Sequence, residues 1–331
     1  MNKYLALIFM TGLAIIQQQS YAQKESPHDI AYYDTYPGSL TARVYFTQKY
    51  ASLNFPSQGS TKDLRYNANA KLGFGVGATY KNITVNVAYG ASFLNTRKEA
   101  RGKTKGIDFQ LHVTPYKWVV DATATAYKGS YISPKGYGAV NNMSFYYRPD
   151  VKFDLFGLDL YRIPNAYKFS YRAALVQNEW QKKSAGSLLY GGALYYGSLK
   201  GDSSLVPTGI VSQFPQAGID NIHFITIGPG IGYAYTLVAA QHLFLMGSLV
   251  GNLDINFSTE DKGEISNNKV SVDPLAIYKA AVGYNGSTWS VAAILTGNAL
   301  LFKGDASDKA YFLSSGNYKL FIAKKIMLHK K

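Results

Sequence analysis

Apolar and polar side chains alternate along much of this chain with a period of two residues. Between residues 64 and 80, every even position carries an apolar side chain, from Leu64 to Tyr80. The odd positions between them carry glycine, polar or charged residues. Because successive side chains of a β-strand point to opposite faces, this stretch is predicted to be a strand with one apolar and one polar face.

The same alternation predicts twelve strands, most of them 11 to 17 residues long. They cover residues 41–55, 64–80, 83–93, 104–114, 117–127, 168–178, 187–199, 222–237, 242–257, 270–284, 288–301 and 317–326. Strands of soluble domains are usually about five or six residues long. A tilted strand needs about 9–11 residues to cross the hydrocarbon of a bilayer. The predicted lengths therefore indicate strands that cross a membrane. We expect their apolar faces to contact lipid, including Tyr66, Phe74, Val85, Ile231, Tyr233 and Leu249.

Strands that cross a membrane must close into a ring, because lipid offers no partner to the backbone of an open sheet edge. We therefore predict an all-β fold, a closed antiparallel transmembrane β-barrel of about twelve strands, with fourteen strands as the alternative. A soluble sandwich or lipocalin-like barrel, with its apolar faces inward, is the competing interpretation. The connections alternate between short and long, which is typical of periplasmic turns and extracellular loops.

The loop-length alternation argues against a single crossing by residues 146–162, because every later loop would then change sides. Pro149 and Asp150 stand where a helix would begin, and Pro164 stands just past its end. We therefore predict a short helix over residues 149–163, in a long extracellular loop, that restricts the lumen. A pair of strands above the membrane is the alternative.

The first 22 residues have the pattern of a secretory signal peptide. Lys3 precedes a short apolar run, and Ser20 and Ala22 put small residues at the positions that a signal peptidase requires. We expect cleavage near Ala22, a periplasmic N-terminal segment over residues 23–40 and the barrel over residues 41–331. The predicted location is the outer membrane of a Gram-negative bacterium. A membrane anchor is the alternative, although its apolar run is short for a span.

The formal net charge of +14 raises the question of an anionic partner. For an exported chain we expect outer-membrane lipid and lipopolysaccharide rather than nucleic acid. The predicted extracellular loop contact to lipopolysaccharide consists of Arg97, Lys98, Arg101, Lys103 and Lys105. A solvated cationic loop explains the same residues equally well. The 28 tyrosines suit half-buried strands and membrane interfaces, and the absence of cysteine excludes disulfides and thiol chemistry.

Two groups of residues are candidates for chemistry or binding. His112 and Asp121 lie on neighbouring predicted strands and share the lumenal face, where a serine could complete a nucleophilic site. A hydrogen-bonded polar cluster is the alternative for this pair. The second group, a lumenal or partner-contact cluster, comprises Arg172, Gln177, Glu179, Gln181, Lys182 and Ser184. These residues could instead satisfy one another. No metal site and no cofactor are predicted.

Two stretches resemble a known family. They are "YYDTYPGSLTARVYFTQKYASLNF" at residues 32–55 and "YRPDVKFDLFGLDLYRIPNAYKFSYRAALVQNEWQKKSAGSLLYGG" at residues 147–192. Both are similar to an uncharacterised family of exported Bacteroidota proteins, domain-of-unknown-function family 4421. The resemblance covers nearly all of the mature chain and implies an outer-membrane location, but it supplies no catalytic residues.

The function predicted from the sequence is that of an outer-membrane barrel of unknown substrate, either a pore, a solute-binding protein or a structural component of the envelope. An envelope lipid-modifying enzyme and a subunit of a larger surface or secretion complex are the alternatives. Such a chain would be inserted by the barrel assembly machinery, and an envelope protein is a candidate partner. Whether the protein is an enzyme is left open.

Overall fold

The computed structural model describes residues 27–59, 61–81, 83–90, 101–115, 117–139, 141 and 143–328. A thirteen-stranded antiparallel sheet closes on itself, because its strand β2 pairs with the last strand, β15. Its strands are β2 (Ser39–Phe55), β3 (Leu64–Asn67), β4 (Gly73–Tyr80), β5 (Ile83–Gly90), β6 (Lys105–Val113), β7 (Trp118–Ser133), β8 (Tyr146–Arg162), β10 (Ala185–Lys200), β11 (Asn221–Ala239), β12 (Leu243–Lys262), β13 (Ile265–Asn285), β14 (Trp289–Phe302) and β15 (Tyr311–Met327). Two short strands, β1 (Tyr33–Thr35) and β9 (Glu179–Gln181), pair with each other separately.

The strands β3 and β4 are two halves of one crossing, and both pair with β2. The wall therefore has twelve crossings, and the predicted all-β, closed antiparallel barrel is confirmed. Lys81 and the connections 240–242 and 286–288 lie at one end of the barrel, which we call the turn end. The connections 201–220 and 303–310 lie at the opposite end, the loop end, together with the described residues between β2 and β3 and between β7 and β8. No helix in the described part of the chain is both long and apolar enough to span a membrane.

The predicted helix over residues 149–163 is wrong, because this stretch is the wall strand β8. It pairs with β7 from Trp118 and Arg162 to Ile132 and Tyr146, and it pairs with β10 on its other edge. Near the loop end its buried residues are apolar, such as Val151 and Phe153. Nearer the turn end its buried residues include Asp159, and the apolar ones, such as Leu160, face outward. This inversion puts apolar residues three apart, which imitates helical spacing.

The predicted strand over residues 168–178 is also wrong, because this stretch lies inside the barrel. It contains the helix α1 (Tyr171–Leu175), whose preceding residue Ser170 accepts a hydrogen bond from the Ala173 amide at 2.9 Å. Phe169, Tyr171 and Ala173 alternate with other residues that are buried as well. The two errors cancel in the strand count and leave the sides of all later loops unchanged. They also place a 163–184 connection at the turn end, where only short turns were expected.

Two smaller predictions also need correction. Tyr66 was expected on the lipid face but is 2% exposed and packs inward on Phe55, because residues 68–72 interrupt the crossing between β3 and β4. The long loop expected at residues 258–269 is a continuation of β12 and β13, which join through Gly263 and Glu264. Phe74, by contrast, faces outward as predicted.

The barrel interior has two different halves. Near the loop end it contains a cluster of buried apolar side chains, onto which residues 201–220 fold with a short 3₁₀-helix (Thr208–Gln213). The cluster consists of Phe55, Leu64, Tyr66, Ile132, Val151, Leu199, Leu205, Val206, Phe214, Ile222, Phe224, Leu300, Phe302, Tyr311 and Leu313. On β12 the inward residues of this half are polar and buried, from Asp254 to Glu260. Near the turn end the interior is lined by polar and charged groups. The functional candidates lie in this second half.

Candidate site in the lumen

A cavity of about 160 Å³ lies in the polar half of the lumen. Its lining combines apolar side chains, including Leu155, Ile277, Ile294 and Phe321, with a larger set of ionisable groups. The ionisable groups that line it are Arg43, Lys49, Asp108, His112, Asp121, Asp159, Lys279 and Lys319, together with Tyr45, Tyr50, Tyr127 and Tyr195. A cavity with an apolar wall and a few convergent charges is typical of a small-molecule site.

His112 and Asp121 stand opposite each other on β6 and β7, and their side chains are in contact through His112 Nδ1. Lys279 of β13 contacts the second oxygen of the Asp121 carboxylate from across the lumen. The Tyr171 ring of α1 covers this group, stacking on His112 at 6.4 Å between centroids and lying 5.1 Å from the Lys279 ammonium. Burial raises the pKa of the Tyr171 phenol.

The contact between His112 and Asp121 reproduces two parts of a nucleophilic triad but not the third. In the part of the chain that is described, the remaining ring nitrogen of His112, Nε2, is buried without a hydrogen-bond partner. A serine hydroxyl at this atom is what acyl transfer would require. As it stands, the group joins β6, β7 and β13 around one carboxylate, and among the described residues no nucleophile lies at His112 Nε2.

The remaining acidic groups of the cavity are Asp108 and Asp159. Asp108 lies 2.9 Å from Lys49 and accepts hydrogen bonds from Thr125 at 2.9 Å and Tyr127 at 2.7 Å. Asp159 interacts with the Tyr195 hydroxyl and with the charge of Lys279, but its Oδ1 is buried without a hydrogen-bond partner among the described residues. Two cations of the cavity, Arg43 and Lys319, have no carboxylate within ion-pair distance among the described residues. The ion pairs found around the cavity all involve other cations.

The turn end of the lumen is occupied by residues 163–184, which we call the plug. The plug is stabilised internally by the predicted polar cluster. Arg172 lies 3.5 Å from Glu179, and Glu179 also accepts a hydrogen bond from Ser170. Gln181 accepts from the Ser170 amide at 2.8 Å and donates to the Lys168 carbonyl at 2.8 Å. These contacts hold the two arms of the plug together around α1.

The other members of the predicted cluster connect the plug to its surroundings. Gln177 is fully buried at a φ of 51° and donates to the Ala174 carbonyl. Lys182 reaches Asp34 of β1 at 2.7 Å, and Ser184 accepts a hydrogen bond from the Val238 amide at 2.9 Å. The structure thus brings all of these residues into one segment. Their contacts are to one another, to β1 and to the barrel wall.

Side chains of the wall dock the plug into the turn end. Asn285 donates to the carbonyls of Ala173 and Glu179, both at 2.9 Å. Arg43 donates to the Val176 carbonyl at 2.8 Å. Trp180 donates to the Gln241 carbonyl at 2.8 Å and stacks on His242 at 4.8 Å between centroids. These bonds reach β2, β13 and the turn between β11 and β12, so the plug bridges widely separated parts of the rim.

The wall is incompletely paired between β5 and β6. These strands pair only at Ile83 with Val113 and at Thr84 with His112, whereas β5 pairs with β4 and β6 with β7 along their whole lengths. Among the described residues, no ladder pair joins residues 85–90 of β5 to β6, and we call this stretch of the wall the β5–β6 gap. Asn86 and Gln110, which line the cavity, lie on its two edges.

The family comparison agrees with the motifs found in the sequence. Residues 27–323 match the model of a family described as Domain of unknown function (DUF4421). The chain belongs to this family. No curated protein matches the sequence.

Several solved structures are similar in architecture. The outer membrane protease OmpT from Escherichia coli has 10% identity, a TM-score of 0.39 and coverage of 87% of this chain and 95% of that chain. OmpT of Vibrio cholerae has 11% identity, a TM-score of 0.29 and coverage of 87% and 98%. A Pseudomonas aeruginosa FadL homologue has 8% identity, a TM-score of 0.25 and coverage of 89% and 93%. Likenesses of this size carry no argument about what this chain does.

The predicted basic loop is only partly described. Arg97 and Lys98 lie outside the described residues. The Arg101 guanidinium lies 5.3 Å from the Tyr131 ring centroid and 5.4 Å from that of Phe145. Lys103 accepts a hydrogen bond from Tyr147 through its carbonyl at 2.6 Å, and Lys105 begins β6. Contact with lipopolysaccharide stays a prediction for this loop.

Sequence reasoning missed six charged groups of the cavity: Arg43, Lys49, Asp108, Asp159, Lys279 and Lys319. Arg43, Lys279 and Lys319 each stand on the inward face of a strand whose outward neighbours are mostly apolar, such as Val44 and Leu320. A charged residue at an inward position of a membrane strand was therefore the available signal. Within the described residues, no group of three or more His, Asp or Glu side chains is arranged to hold a metal ion.

Proposed function

We propose that this protein is an outer-membrane barrel that binds a small solute in an enclosed lumenal cavity, and that it is not an open pore. The observation that carries the proposal is that both ends of the lumen are filled. The plug occupies the turn end, and the apolar core under residues 201–220 occupies the loop end. Between them remains a cavity of about 160 Å³ with several ionisable groups in its wall.

The membrane location is supported by the outer surface of the barrel. Large apolar side chains face outward on consecutive strands, including Val44, Phe46, Phe74, Val76, Val85, Ile225, Ile231, Leu245, Leu249, Val272, Val282, Leu320 and Ile322. At the turn end, Tyr80, Trp118, Tyr284 and Trp289 form an exposed aromatic row. Cations lie over three of these rings, Lys81 at 5.6 Å, Arg162 at 5.8 Å and Lys324 at 5.0 Å. Aromatic and basic residues mark the membrane–water boundary.

The membrane location is tested by one substitution at two depths. Ile231 lies in the middle of β11, 66% exposed, and Ile265 lies at the tip of the β12–β13 hairpin, 63% exposed. Ile231→Arg should make folding into lipid vesicles less favourable by about 2–4 kcal/mol, because a charge at the bilayer midplane loses its hydration. Ile265→Arg should change it by less than about 1 kcal/mol. Equal effects at the two positions would contradict the membrane band.

The β5–β6 gap is the proposed route by which the solute reaches the cavity. Unpaired strand edges are costly in lipid unless they line a polar cavity. Asn86, Asp108 and Gln110 supply polar side chains on or beside these edges. Extending the observed register pairs Asn86 with Gln110. Because the chain has no cysteine, an Asn86→Cys, Gln110→Cys disulfide would close the gap specifically.

The closed lumen is tested by labelling and by conductance. Ser315 lines the cavity, and Ser287 lies exposed in the turn between β13 and β14. We expect the native protein to leave planar bilayers without steady conductance and Ser315→Cys to react slowly with a charged methanethiosulfonate. Replacing residues 169–178 with a Gly/Ser linker of equal length should accelerate labelling at Ser315→Cys about tenfold or more.

The control for this experiment is Ser287→Cys, whose labelling rate should not depend on the plug because its side chain is already exposed. Heat-modifiable gel mobility of each variant would verify that the barrel is folded. Steady porin-like conductance of the native protein would overturn the proposal. Unchanged labelling at Ser315→Cys in the folded linker variant would show that the plug does not close the lumen.

A further inference from the structure

We infer that the cavity binds a small organic carboxylate, with Arg43 and Lys319 as the groups that receive its negative charge. This inference rests on the proposed function, because it names the class of solute for the same enclosed cavity. Arg43 belongs to β2 and Lys319 to β15, and both line the cavity across the seam that closes the barrel.

Several charged side chains around the cavity are paired with one another. Lys49 is neutralised by Asp108 at 2.9 Å, and Lys279 by Asp121. His112 shares Asp121, and Asp159 lies within the electrostatic reach of Lys279. Asp108 and Asp121 are therefore taken up by Lys49 and Lys279, whereas Asp159 Oδ1 is buried without a hydrogen-bond partner among the described residues. Arg43 and Lys319 are the cavity cations that this pairing leaves over in the described part of the chain.

Arg43 is buried, with 8% of the residue exposed. Its Nη2 donates to Thr79 and to the Val176 carbonyl of the plug, and its Nη1 lies 3.4 Å from the Asn86 amide oxygen. Its Nε is buried and has no hydrogen-bond partner among the described residues. A buried guanidinium without a carboxylate is unfavourable unless an anion compensates it. Since both N–H groups of Nη2 are in use, the Nε–H remains as the charge-assisted donor for a bound carboxylate.

Lys319 contacts neutral side chains in the cavity. Its ammonium donates to the Gln110 amide oxygen at 3.0 Å and lies 5.9 Å from the Tyr45 ring centroid. The like charges of Lys49 and Arg43 act on it, as does the opposite charge of Asp121, which already binds Lys279. Like charges gathered in one cavity repel one another, so a bound anion gains from all of them at once. The neutral Gln110, which also accepts from Asn317 at 3.0 Å, positions Lys319 without neutralising it.

The size of the cavity and its apolar wall limit the kind of anion that fits it. At about 160 Å³, it has room for a group of roughly ten water molecules. The wall next to the cations includes Ile277, Ile294 and Phe321. A compact carboxylate with an apolar body uses both features, whereas inorganic phosphate would leave the apolar wall unused. This comparison favours an organic acid of about ten non-hydrogen atoms.

The test uses benzoate as the probe and benzyl alcohol as its uncharged counterpart of the same size. Binding to the purified full-length barrel in detergent would be measured by titration calorimetry. Lys319→Met should weaken benzoate binding about tenfold or more, because a charge-assisted hydrogen bond is lost. Lys324→Met is the matched control, since Lys324 is on the same strand but faces outward over Trp289. Lys319→Arg should retain binding within a few-fold.

Several outcomes would overturn the inference. These are no benzoate binding by the native protein, equal binding of benzyl alcohol, equal effects of Lys319→Met and Lys324→Met, or binding of phosphate in place of benzoate. Loss of a buried cation that has no acidic partner should not unfold the barrel, and heat-modifiable mobility would verify this for each variant. If benzoate binding fails while the plug still controls labelling at Ser315→Cys, the closed solute-binding barrel stands and only the ligand class is wrong.

Discussion

The two halves of the lumen are built on the same strands but are held together differently. The half near the loop end is a hydrophobic core, in which Phe302 stacks between Phe224 and Tyr311 at 4.2 Å and 5.0 Å between centroids. The half near the turn end is a hydrogen-bonded assembly, in which Asn285 and Arg43 bind carbonyls of the plug. An apolar core specifies shape without specific partners, whereas a polar assembly must satisfy each group individually.

On β11, the difference between the two halves is visible in which side of the strand carries the apolar residues. On β11, Ile222 and Phe224 point inward near the loop end, whereas Ile225 and Ile227 point outward further along the same strand. The outward apolar residues lie at the height of the membrane band, and the inward ones lie at the height of the core. On β11 the apolar residues therefore change sides where the strand leaves the membrane band, and this inversion marks the boundary between the two halves. On β12 the outward residues stay apolar as far as Phe257, and the inward ones from Asp254 to Glu260 are polar.

The largest effect is expected from truncating the apolar half. Phe302 is fully buried, and Phe302→Ala should lower the free energy of unfolding by about 3–5 kcal/mol, because it leaves a cavity in the core. Phe257→Ala removes the same ring from the outer face, where it is 51% exposed, and should cost much less. Chemical denaturation of both variants in detergent measures the difference. Equal costs would mean that the loop end is not a packed core.

An intermediate effect is expected in the polar half. Asn285→Ala removes two hydrogen bonds to the plug and leaves Lys325 and Ser290 without an acceptor that lies at 2.9 Å and 2.7 Å. We expect a loss of about 1–3 kcal/mol in the free energy of unfolding. Because the loss falls on the plug, labelling of Ser315→Cys should accelerate in this background.

The control for Asn285→Ala is Asn268→Ala, which removes an exposed hydrogen bond of 2.7 Å to Thr259 near the loop end. It should change neither stability nor labelling measurably. If Asn285→Ala destabilises the barrel while Ser315→Cys stays protected, the plug is fixed by other contacts, and the polar half resembles a core more closely than the hydrogen bonds indicate.

Much of the barrel could be predicted from the sequence because lipid imposes a strict period-two pattern. The wall strands β10 to β14 were predicted in this way, since their outward residues are apolar over ten or more positions. The strand β8 could not be, because its short outward row of Phe156, Leu158 and Leu160 follows an inward row that ends at Leu155. Alternation alone does not show which side of a strand faces water. A strand whose apolar residues change sides therefore has the apolar spacing of a helix.

The candidate site was less predictable, because it depends on contacts between distant strands. Local pairing brought His112 and Asp121 together in the sequence interpretation, since they share a hairpin. Lys279 contacts the same carboxylate although the two residues are 158 positions apart in the sequence, so no local pattern predicts this contact. The plug was misassigned because Phe169, Tyr171 and Ala173 alternate as in a strand, although Ser170 is a residue that commonly caps helices.

The smallest effect is expected at the outer surface of the plug. Lys182 and Asp34 form an ion pair of 2.7 Å, but their side chains are 24% and 33% exposed. Pairs of this kind contribute about 0–1 kcal/mol and weaken with salt. The segments they join are already held by the register of β1 on β9, from Tyr33 and Gln181 to Thr35 and Glu179. Lys182→Met should therefore leave unfolding and Ser315→Cys labelling unchanged at high and low salt. A salt-dependent release of the plug in this variant would show that surface charge, and not buried hydrogen bonding, closes the turn end.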